Sequence, residues 1–286
     1  MSNTYPVTGP GLGLRRAFVG PLIENPPSNI GFYEVVPENW INLGGKYGKQ
    51  LRQLTEQFPF VAHGLSLSIG SPDPLDTAFV RDVGQFLKQH QIKIYTEHLT
   101  YCSDGGHMYD LMPIPFTEEA IDHVAQRIIQ VQDILGEQIA IENGSYYAAP
   151  GKEMEEIDFL NAVIQKADCK LLIDINNIYV NSVNHQYDAV KFLKQLPGDR
   201  ISYAHIAGHY NEADDIIIDT HGADIIDPVW SLLDIAYQHF GVFPTLLERD
   251  FNIPPLADLL HEVNTIEQAQ IRHQFANKKE FNRGHA

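Results

Sequence analysis

Short runs of apolar residues recur along the chain, and a stretch with helical periodicity follows most of them. Segments such as IAIEN, LLIDI and YAHIAG are almost continuously apolar, which is typical of strands buried on both faces and therefore of a parallel sheet. We predict eight strands, at residues 11–14, 32–36, 60–65, 92–98, 138–142, 170–175, 201–206 and 245–248. Eight strands alternating with helices favour an α/β protein whose sheet closes into a (β/α)8 TIM barrel over an open sheet.

The ends of two helices are marked by residues that commonly begin and end helices. One helix is expected to start after Thr117, whose hydroxyl can cap it, and to end at Gly136. A second is expected to have Asp227 as its cap and Pro228 at its first position, and to end at Gly241.

Length and charge narrow the class of protein. The 286 residues, 44% of them hydrophobic, suffice for one sizeable core, so we expect a single domain over residues 1–272 and a polar, frayed tail over residues 273–286. The net charge of −17 repels phosphate backbones, so nucleic acid is disfavoured as a partner. No apolar stretch approaches the roughly 20 residues of a membrane helix, so no membrane partner is expected.

The chain has only two cysteines, Cys102 and Cys169. Two thiols make no disulfide framework, which suits a reducing cytoplasm, and residues 1–16 lack the pattern of a secretory signal. We therefore expect a cytoplasmic protein. Cys169 is expected to be a packing residue and Cys102 a plain loop thiol rather than a metal ligand.

The polar residues that end the apolar runs are of the types that bind metals. Six of the eight predicted strands end in such a residue: His63, His98, Glu142, Asp174, His205 and Glu248. Asp219 and His221 follow the seventh strand two residues apart, a spacing that puts both side chains on one side of an extended segment. In a barrel, all these positions face the same mouth.

A single histidine at a strand end is usually a hydrogen-bonded structural residue, but that does not explain the whole set. When many carboxylates and imidazoles are buried together, they lose their hydration and their like charges repel one another. Cations that pair with them offset both costs. The eight candidates also exceed the needs of one ion, so we expect more than one metal ion, with Glu142 or Glu248 able to bridge two. Nitrogen and oxygen donors suit iron, zinc or manganese.

Other polar residues are less decisive. Asn177, His209 and Asp250 follow strand ends, and for each of them a metal-binding or a structural role is open. The region around Glu34 and Glu38 is also acidic. Four histidines fall in helical patterns and are expected to be ordinary surface residues; they are His90, His123, His239 and His261.

The order of the candidate ligands resembles the xylose-isomerase-like barrels, which include the zinc-dependent endonuclease IV type. In those nucleases the aspartate on the sixth strand is followed three residues later by a histidine. Here Asp174 is followed by Asn177 instead, and the acidic composition also speaks against a DNA-repair enzyme.

Longer motifs are similar to those of a more closely related family, the multinuclear non-haem iron-dependent oxidases. They extend over nearly the whole chain: GLGLR, FYEVVPENW, HGLSLSIGS, EHLTY, IENGSYY, DINNIYVN, HIAGH, DTHG and LLERD. This resemblance implies two or three irons, dioxygen as a co-substrate, and modification of cysteine residues in a ribosomally made precursor peptide, often with a small partner protein. Members differ in the reaction they catalyse, so the particular product is not implied.

The resemblance also implies the residues of the site. Its motifs carry the metal ligands over to His63, His98, Glu142, Asp174, Asn177, His205, Asp219, His221 and Glu248. As candidate catalytic residues we take Glu142, Asp174, Glu248 and His209.

Three hypotheses follow. The first is an iron-dependent oxidase that modifies peptide cysteines. The second is a hydrolase or sugar isomerase of the wider barrel superfamily that uses zinc or manganese without redox chemistry. The third is a metal-storing or scaffold protein without turnover. Metal identity separates the first two, because an enzyme active with zinc alone is not an oxidase of this kind.

Overall fold

The computed structural model describes residues 5–283 as a closed parallel barrel of eight strands surrounded by helices. The barrel strands are β1 (Pro10–Gly13), β2 (Phe32–Val35), β3 (Phe60–Gly64), β4 (Tyr95–His98), β7 (Ala140–Glu142), β8 (Lys170–Asp174), β9 (Ile201–Ile206) and β12 (Thr245–Leu247). Consecutive barrel strands are neighbours, and β1 pairs with β12 to close the ring. The predicted TIM barrel is therefore confirmed, and all eight predicted strands lie in it.

Nine α-helices occur among the described residues. They are α1 (Val19–Glu24), α2 (Gly45–Thr55), α3 (Thr77–His90), α4 (Glu118–Leu135), α5 (Glu156–Ala167), α6 (Ile175–Asn184), α7 (Ala189–Lys194), α8 (Asp227–Phe240) and α9 (Leu256–Arg283). The larger apolar core lies between these helices and the outer face of the barrel. Within the described residues, none of the helices combines the length and apolar character needed to cross a membrane.

Two antiparallel hairpins follow strands β4 and β9. The first pairs β5 (Thr100–Ser103) with β6 (His107–Pro113), and the second pairs β10 (Tyr210–Ala213) with β11 (Ile216–Ile218). Both begin within a few residues of a barrel strand's carboxyl end, so they stand at the mouth where the strand-end residues are.

The side chains inside the barrel form two levels. The lower level is an apolar cluster that includes Phe32, Val61, Ile94, Ala140, Leu172, Tyr203 and Leu246. Residues two positions further along a strand point to the same side, and here they are polar. We call this upper level the polar ring: Glu34, His63, Thr96, Glu142, Asp174, His205 and Glu248. The histidine, aspartate and glutamate side chains of this ring thus face the barrel axis above an apolar floor.

One glycine makes this floor possible. A Cβ atom on Gly11 of β1 would lie 2.5 Å from the Phe32 ring, so a side chain there would displace the ring from the barrel interior. Strand β1 therefore carries a glycine at this position, and the Phe32 ring fills the space.

The helix ends are partly as predicted. Thr117 caps α4 by accepting a hydrogen bond from the Ala120 amide, and Gly136 ends that helix with a φ of 74°. Gly241 ends α8 as expected, but the prediction of Asp227 as its cap was wrong, since Ile226 occupies the capping position and Asp227 is the first helical residue.

Two further expectations need correction. The chain from His273 to Arg283 continues helix α9 rather than fraying, and His273 Nε2 lies 2.8 Å from Asp234 Oδ1 of α8. The division into a domain and a tail at residue 272 stays a prediction, and residues 1–4 and 284–286 lie outside the described residues. His90 is buried rather than on the surface, because α3 packs it where its Nδ1 lies 3.0 Å from Thr55 Oγ1.

Candidate metal centre

Glu142, at the end of β7, lies between two histidines of neighbouring strands. Its Oε2 atom is 3.1 Å from His63 Nε2 and 3.2 Å from His98 Nε2. The other ring nitrogens of both histidines have partners: His63 Nδ1 lies 2.7 Å from Thr96 Oγ1, and His98 Nδ1 lies 2.9 Å from the Gly64 carbonyl oxygen. Both imidazoles therefore have one nitrogen held by the protein and the other facing the carboxylate, the usual arrangement of metal-binding histidines.

His205 faces three carboxylates from three strands. Its Nδ1 atom lies 2.8 Å from Glu248 Oε2, 3.7 Å from Glu142 Oε1 and 3.9 Å from Asp174 Oδ2. Glu142 thus presents one oxygen to His63 and His98 and the other to His205, which is the position required of a bridging carboxylate.

His221 extends the cluster beyond Glu248. Its Nε2 lies 2.8 Å from Asp219 Oδ1 and 3.7 Å from Asp174 Oδ2, and its Nδ1 lies 3.0 Å from Glu248 Oε2. Its backbone has a φ of 46°, a left-handed conformation that is uncommon outside glycine.

Three groups of metal-binding atoms result, each compact enough for one ion. They are His63, Glu142 and His205; Glu142, Asp174, His205 and Glu248; and His221, Glu248 and Asp250. Adjacent groups share Glu142, His205 or Glu248. Hence the arrangement offers neighbouring metal positions, not three separate ones.

The polar atoms of this cluster fit metal ions because the protein leaves them without hydrogen bonds. Of the thirteen buried side-chain nitrogen and oxygen atoms without a hydrogen-bond partner among the described residues, seven belong to residues at the barrel mouth. They are Glu142 Oε2, Asp174 Oδ2, Asn177 Oδ1, His205 Nδ1, His209 Nε2, His221 Nε2 and Glu248 Oε2. Buried polar atoms are otherwise nearly always paired, so their concentration here fits a site that binds metal ions.

The pKa values of the cluster show the same need for cations. Burial, reinforced by the nearby Glu142 carboxylate, raises the pKa of Asp174 to about 7. Burial lowers the pKa of His63, but the Glu142 and Glu34 carboxylates together outweigh it, and the result is a pKa of about 9. The carboxylates therefore favour the protonated form of His63, and a bound metal ion would replace that proton.

Asn143 and Asn177 fix the backbone around Asp174. The Asn143 side chain accepts a hydrogen bond from the Asp174 amide at 2.9 Å and donates one to the Asp174 carbonyl at 3.0 Å. Asn177 donates its side-chain N–H to the Asn143 carbonyl at 3.1 Å, while its buried Oδ1 has no partner. Asp174 Oδ1 caps α6 by accepting from the Asn177 amide at 2.6 Å, which leaves Oδ2 for the cluster.

Asp219 is held by three separate hydrogen bonds. Ser145 donates to its Oδ2 at 2.8 Å, Asn176 donates to its Oδ1 at 2.9 Å, and its own amide donates to the Tyr147 hydroxyl at 2.9 Å. This side chain is oriented before any ligand binds, although it belongs to a loop.

The residues that the sequence left undecided occupy different places. Asp250 Oδ2 lies 3.7 Å from His221 Nδ1 at the edge of the cluster, and the Asp250 carboxylate is paired with Arg15. His209 is buried next to the cluster, where its Nδ1 donates to Asn176 Oδ1 at 2.8 Å. Glu38 lies outside the cluster and accepts from the amides of Leu65 and Ser66.

The two cysteines lie outside the three metal-binding groups. Cys169 is fully buried in the core, as expected for a packing residue. Cys102 lies in the hairpin strand β5 rather than in a loop, and its Sγ contacts the Leu65 carbonyl oxygen at 3.7 Å.

Sequence reasoning missed several residues that support the cluster. Asn143, Ser145 and Asn176 were not singled out, although each directly follows or lies close to a strand-end candidate. Glu34 was noted only as an acidic residue near a strand, whereas its Oε2 lies 2.9 Å from His205 Nε2. Its position two residues after an inward-facing phenylalanine was the available signal.

Comparison with known proteins agrees with this geometry. A family described as "RiPP precursor modification enzyme MbnB/TglH/ChrH", where RiPP denotes a ribosomally made and then modified peptide, matches residues 9–271. The chain belongs to this family. Its members act on precursor peptides, so the family places this protein among peptide-modifying enzymes and identifies a precursor peptide as its class of substrate.

Relatives that share the whole fold are numerous in bacteria. The UPF0276 protein of Shewanella oneidensis is 61% identical over 92% of this chain and 94% of its own length. The UPF0276 protein of Alcanivorax borkumensis is 60% identical over 93% of this chain and 92% of its own length. Their names state no activity.

Solved structures show the wider fold class. The IOLI protein with a bound zinc atom superimposes with a TM-score of 0.61 at 14% identity, covering 93% of this chain and 96% of its own. Endonuclease IV from Thermus thermophilus gives a TM-score of 0.57 at 12% identity, covering 93% of this chain and 99% of its own. At these identities the likeness establishes the xylose-isomerase-like barrel fold alone.

Proposed function

We propose that this protein is a multinuclear iron-dependent oxidase that uses dioxygen to modify cysteine residues of a ribosomally made precursor peptide. The observation that carries the proposal is the sharing of Glu142, His205 and Glu248 between adjacent groups of metal-binding atoms. Membership of a family of precursor-modifying enzymes supports a peptide substrate. The cluster of candidate ligands supports the binding of redox-active metal ions.

The residues that would hold two or three ions fall into adjoining sets. His63, His98 and Glu142 are proposed for one position, and Glu142, Asp174, His205 and Glu248 for the next. The third position is proposed to be held by His221, Glu248, Asp219 and Asn177. Of the three positions, it has the most ligands that are neutral or lie in loops. Iron in such a nitrogen and oxygen environment supplies one-electron oxidation and can bind a thiolate and dioxygen.

Glu142, Asp174 and Glu248 are proposed as catalytic residues because their oxygens face more than one metal-binding group. Each of these carboxylates would hold metal ions in adjoining positions and would offset their charge. Asp174 has only Oδ2 free for this role, since its Oδ1 caps α6.

His209 is proposed to accept a proton from the substrate. Its Nδ1 hydrogen is used in donating to Asn176, so its buried Nε2 carries the lone pair and lacks a partner among the described residues. Burial lowers the pKa of His209, which keeps the imidazole neutral near neutral pH. A neutral imidazole beside the cluster can take the proton of a substrate thiol as it becomes a thiolate.

The same proposal includes a precursor peptide that contains cysteine. It also includes a small partner protein that delivers this peptide. The cytoplasmic location belongs to the proposal as well and stays a prediction from the cysteine content.

The test compares metals and peptides in one assay. The protein is loaded without oxygen with ferrous iron or with zinc and mixed with a short cysteine-containing peptide chosen from the reading frames that flank its gene. Air is then admitted, and the peptide mass is measured. A mass change that requires iron, air and the cysteine, and that is lost when serine replaces the cysteine, supports the proposal.

A variant pair tests the role of His209. His209→Ala should lower the rate of peptide modification, whereas His239→Ala, which changes an exposed helical histidine, should not. An enzyme active with zinc or manganese alone would overturn the oxidase and favour the hydrolase or isomerase hypothesis. A loaded protein that binds metal and leaves the peptide unchanged with every metal would favour storage.

A further inference from the structure

A continuous chain of buried polar side chains joins His63 to His205 beneath the candidate metal centre. His63 Nδ1 lies 2.7 Å from Thr96 Oγ1, which lies 3.1 Å from the Tyr203 hydroxyl. The Tyr203 hydroxyl donates to Glu34 Oε2 at 2.5 Å, and the same oxygen lies 2.9 Å from His205 Nε2. Four barrel strands contribute to this chain, and its two ends, His63 and His205, belong to one group of candidate metal-binding atoms together with Glu142.

The positions of the hydrogens in this chain follow from Glu34, whose Oε2 accepts from the Tyr203 hydroxyl. Its carboxylate only accepts, so both the Tyr203 hydroxyl and His205 Nε2 must donate to it. The Tyr203 oxygen can then only accept from Thr96, whose oxygen in turn accepts from His63 Nδ1. When each of these contacts is a hydrogen bond, the Glu34 carboxylate sets their direction as far as His63 on the neighbouring strand β3.

This direction leaves the lone pairs where metal ligands need them. With hydrogen on Nε2, His205 offers Nδ1 to Glu248 and Asp174. With hydrogen on Nδ1, His63 offers Nε2 to the Glu142 side of the cluster. Each imidazole thus turns its basic nitrogen to the metal side and its N–H to the chain.

The burial of the chain prevents water from replacing its members. The five residues Glu34, His63, Thr96, Tyr203 and His205 are between 0% and 5% exposed. A hydrogen-bond partner lost at such depth leaves an unsatisfied polar group, which costs about 1–3 kcal/mol. The network is accordingly held in one arrangement, with the apolar floor of the barrel directly below it.

We propose that Glu34 is a positioning residue for two metal-binding histidines at once, His205 directly and His63 through Tyr203 and Thr96. It holds both imidazoles in the orientation and tautomer that metal binding requires. This inference rests on the metal centre of the proposed function, but not on iron or on the oxidation of a peptide. It is therefore tested with zinc.

Two substitutions that preserve the shape of the side chain interrupt this series of hydrogen bonds at different points. Tyr203→Phe keeps the bond from Glu34 to His205 but frees the Thr96 hydroxyl to turn towards His63 Nδ1. Glu34→Gln replaces the charged acceptor by a neutral one and weakens both bonds. Tyr237→Phe is the matched control, because Tyr237 is also fully buried and its hydroxyl lies 2.6 Å from Thr245 Oγ1, but it does not join the chain.

Zinc affinity is measured by competition with a coloured chelator. The ring N–H signals are measured by NMR on zinc-loaded protein whose histidines carry nitrogen-15. Outer partners of metal-binding histidines typically change metal affinity by about 10–100-fold. We expect Glu34→Gln and Tyr203→Phe each to weaken at least one zinc site by about tenfold. The His63 N–H signal should shift in Tyr203→Phe, whereas the His205 signal should shift in Glu34→Gln.

The control and wild-type protein should agree in both measurements. If Glu34→Gln and Tyr203→Phe have the same zinc affinities and N–H signals as wild type, the inference is overturned. The hydrogen-bonded side chains would then serve only to pack the barrel interior. A wild-type protein that binds no zinc at all would instead overturn the metal centre, and this inference with it.

Discussion

His205 Nδ1 lies 2.8 Å from Glu248 Oε2, yet neither atom has a hydrogen-bond partner of acceptable geometry among the described residues. His205 already directs its other nitrogen to Glu34 at 2.9 Å. We propose that these two buried atoms serve as two ligands of one metal ion. This relationship underlies the predictions below.

The first prediction concerns Glu142, which faces both His63 and His205. Glu142→Gln keeps the shape of the side chain but removes the charge and one bridging oxygen. We expect the purified variant to hold at least one metal ion fewer per chain than the wild type, measured by elemental analysis after identical loading. Glu156→Gln is the matched control, since Glu156 is also buried but lies outside the cluster. Equal metal content in both variants would show that Glu142 is not a ligand.

The second prediction concerns Asn177, whose Oδ1 is buried without a partner. Asn177→His replaces a weak, neutral amide ligand by imidazole and recreates the aspartate–histidine spacing of the zinc-dependent relatives. Zinc affinity at the third position should rise by on the order of tenfold, about 1.4 kcal/mol, while dioxygen-dependent activity falls. Calorimetric titration with zinc measures the first effect.

Asn184→His on the same helix is the control for this change, because the Asn184 side chain bonds the β11 backbone instead of the cluster. If zinc binds Asn177→His no more tightly than wild type, and the variant is folded by circular dichroism, then Asn177 serves only to fasten the loop through its bond to Asn143.

The barrel was predictable because its strands carry apolar residues on both faces, which sets them apart from the amphipathic helices. The place of the candidate site was predictable for a related reason. Once the strands are known to be parallel, residues such as His63 and Asp174 must lie at one mouth, however far apart they are in sequence.

What the sequence did not reveal depends on register and packing. Glu34 and Tyr203 are 169 residues apart, and their contact follows from the alignment of inward-facing residues across the barrel, which no local pattern shows. His90 was expected on the surface because it lies in a helix, but the neighbouring helix α2 buries it. The left-handed backbone of His221 is likewise set by the loop around it and has no local sequence signal.

The third prediction concerns stability and pH at Glu156. Burial raises the pKa of Glu156 from 4.5 to about 7, so the folded protein holds this proton more tightly than the unfolded chain. Its contribution to stability is therefore full below pH 4.5 and is lost as the pH rises to about 7. Glu156→Gln is neutral at every pH. The unfolding free energy of wild type relative to this variant should fall by up to about 3 kcal/mol between pH 4.5 and pH 8.

Urea unfolding at both pH values measures this difference, and Glu155→Gln changes an exposed neighbour as the control. For Glu155→Gln, the difference in unfolding free energy from wild type should not vary with pH. If the difference for Glu156→Gln does not vary either, Glu156 titrates as an exposed carboxyl does.

The number of metal ions per chain decides whether the centre is multinuclear. The shared ligands Glu142, His205 and Glu248 predict that the protein, purified without oxygen and saturated with ferrous iron, retains two or three irons per chain after unbound metal is removed. Elemental analysis against an accurate protein concentration gives this number. A value of one or less after full loading would contradict a multinuclear centre.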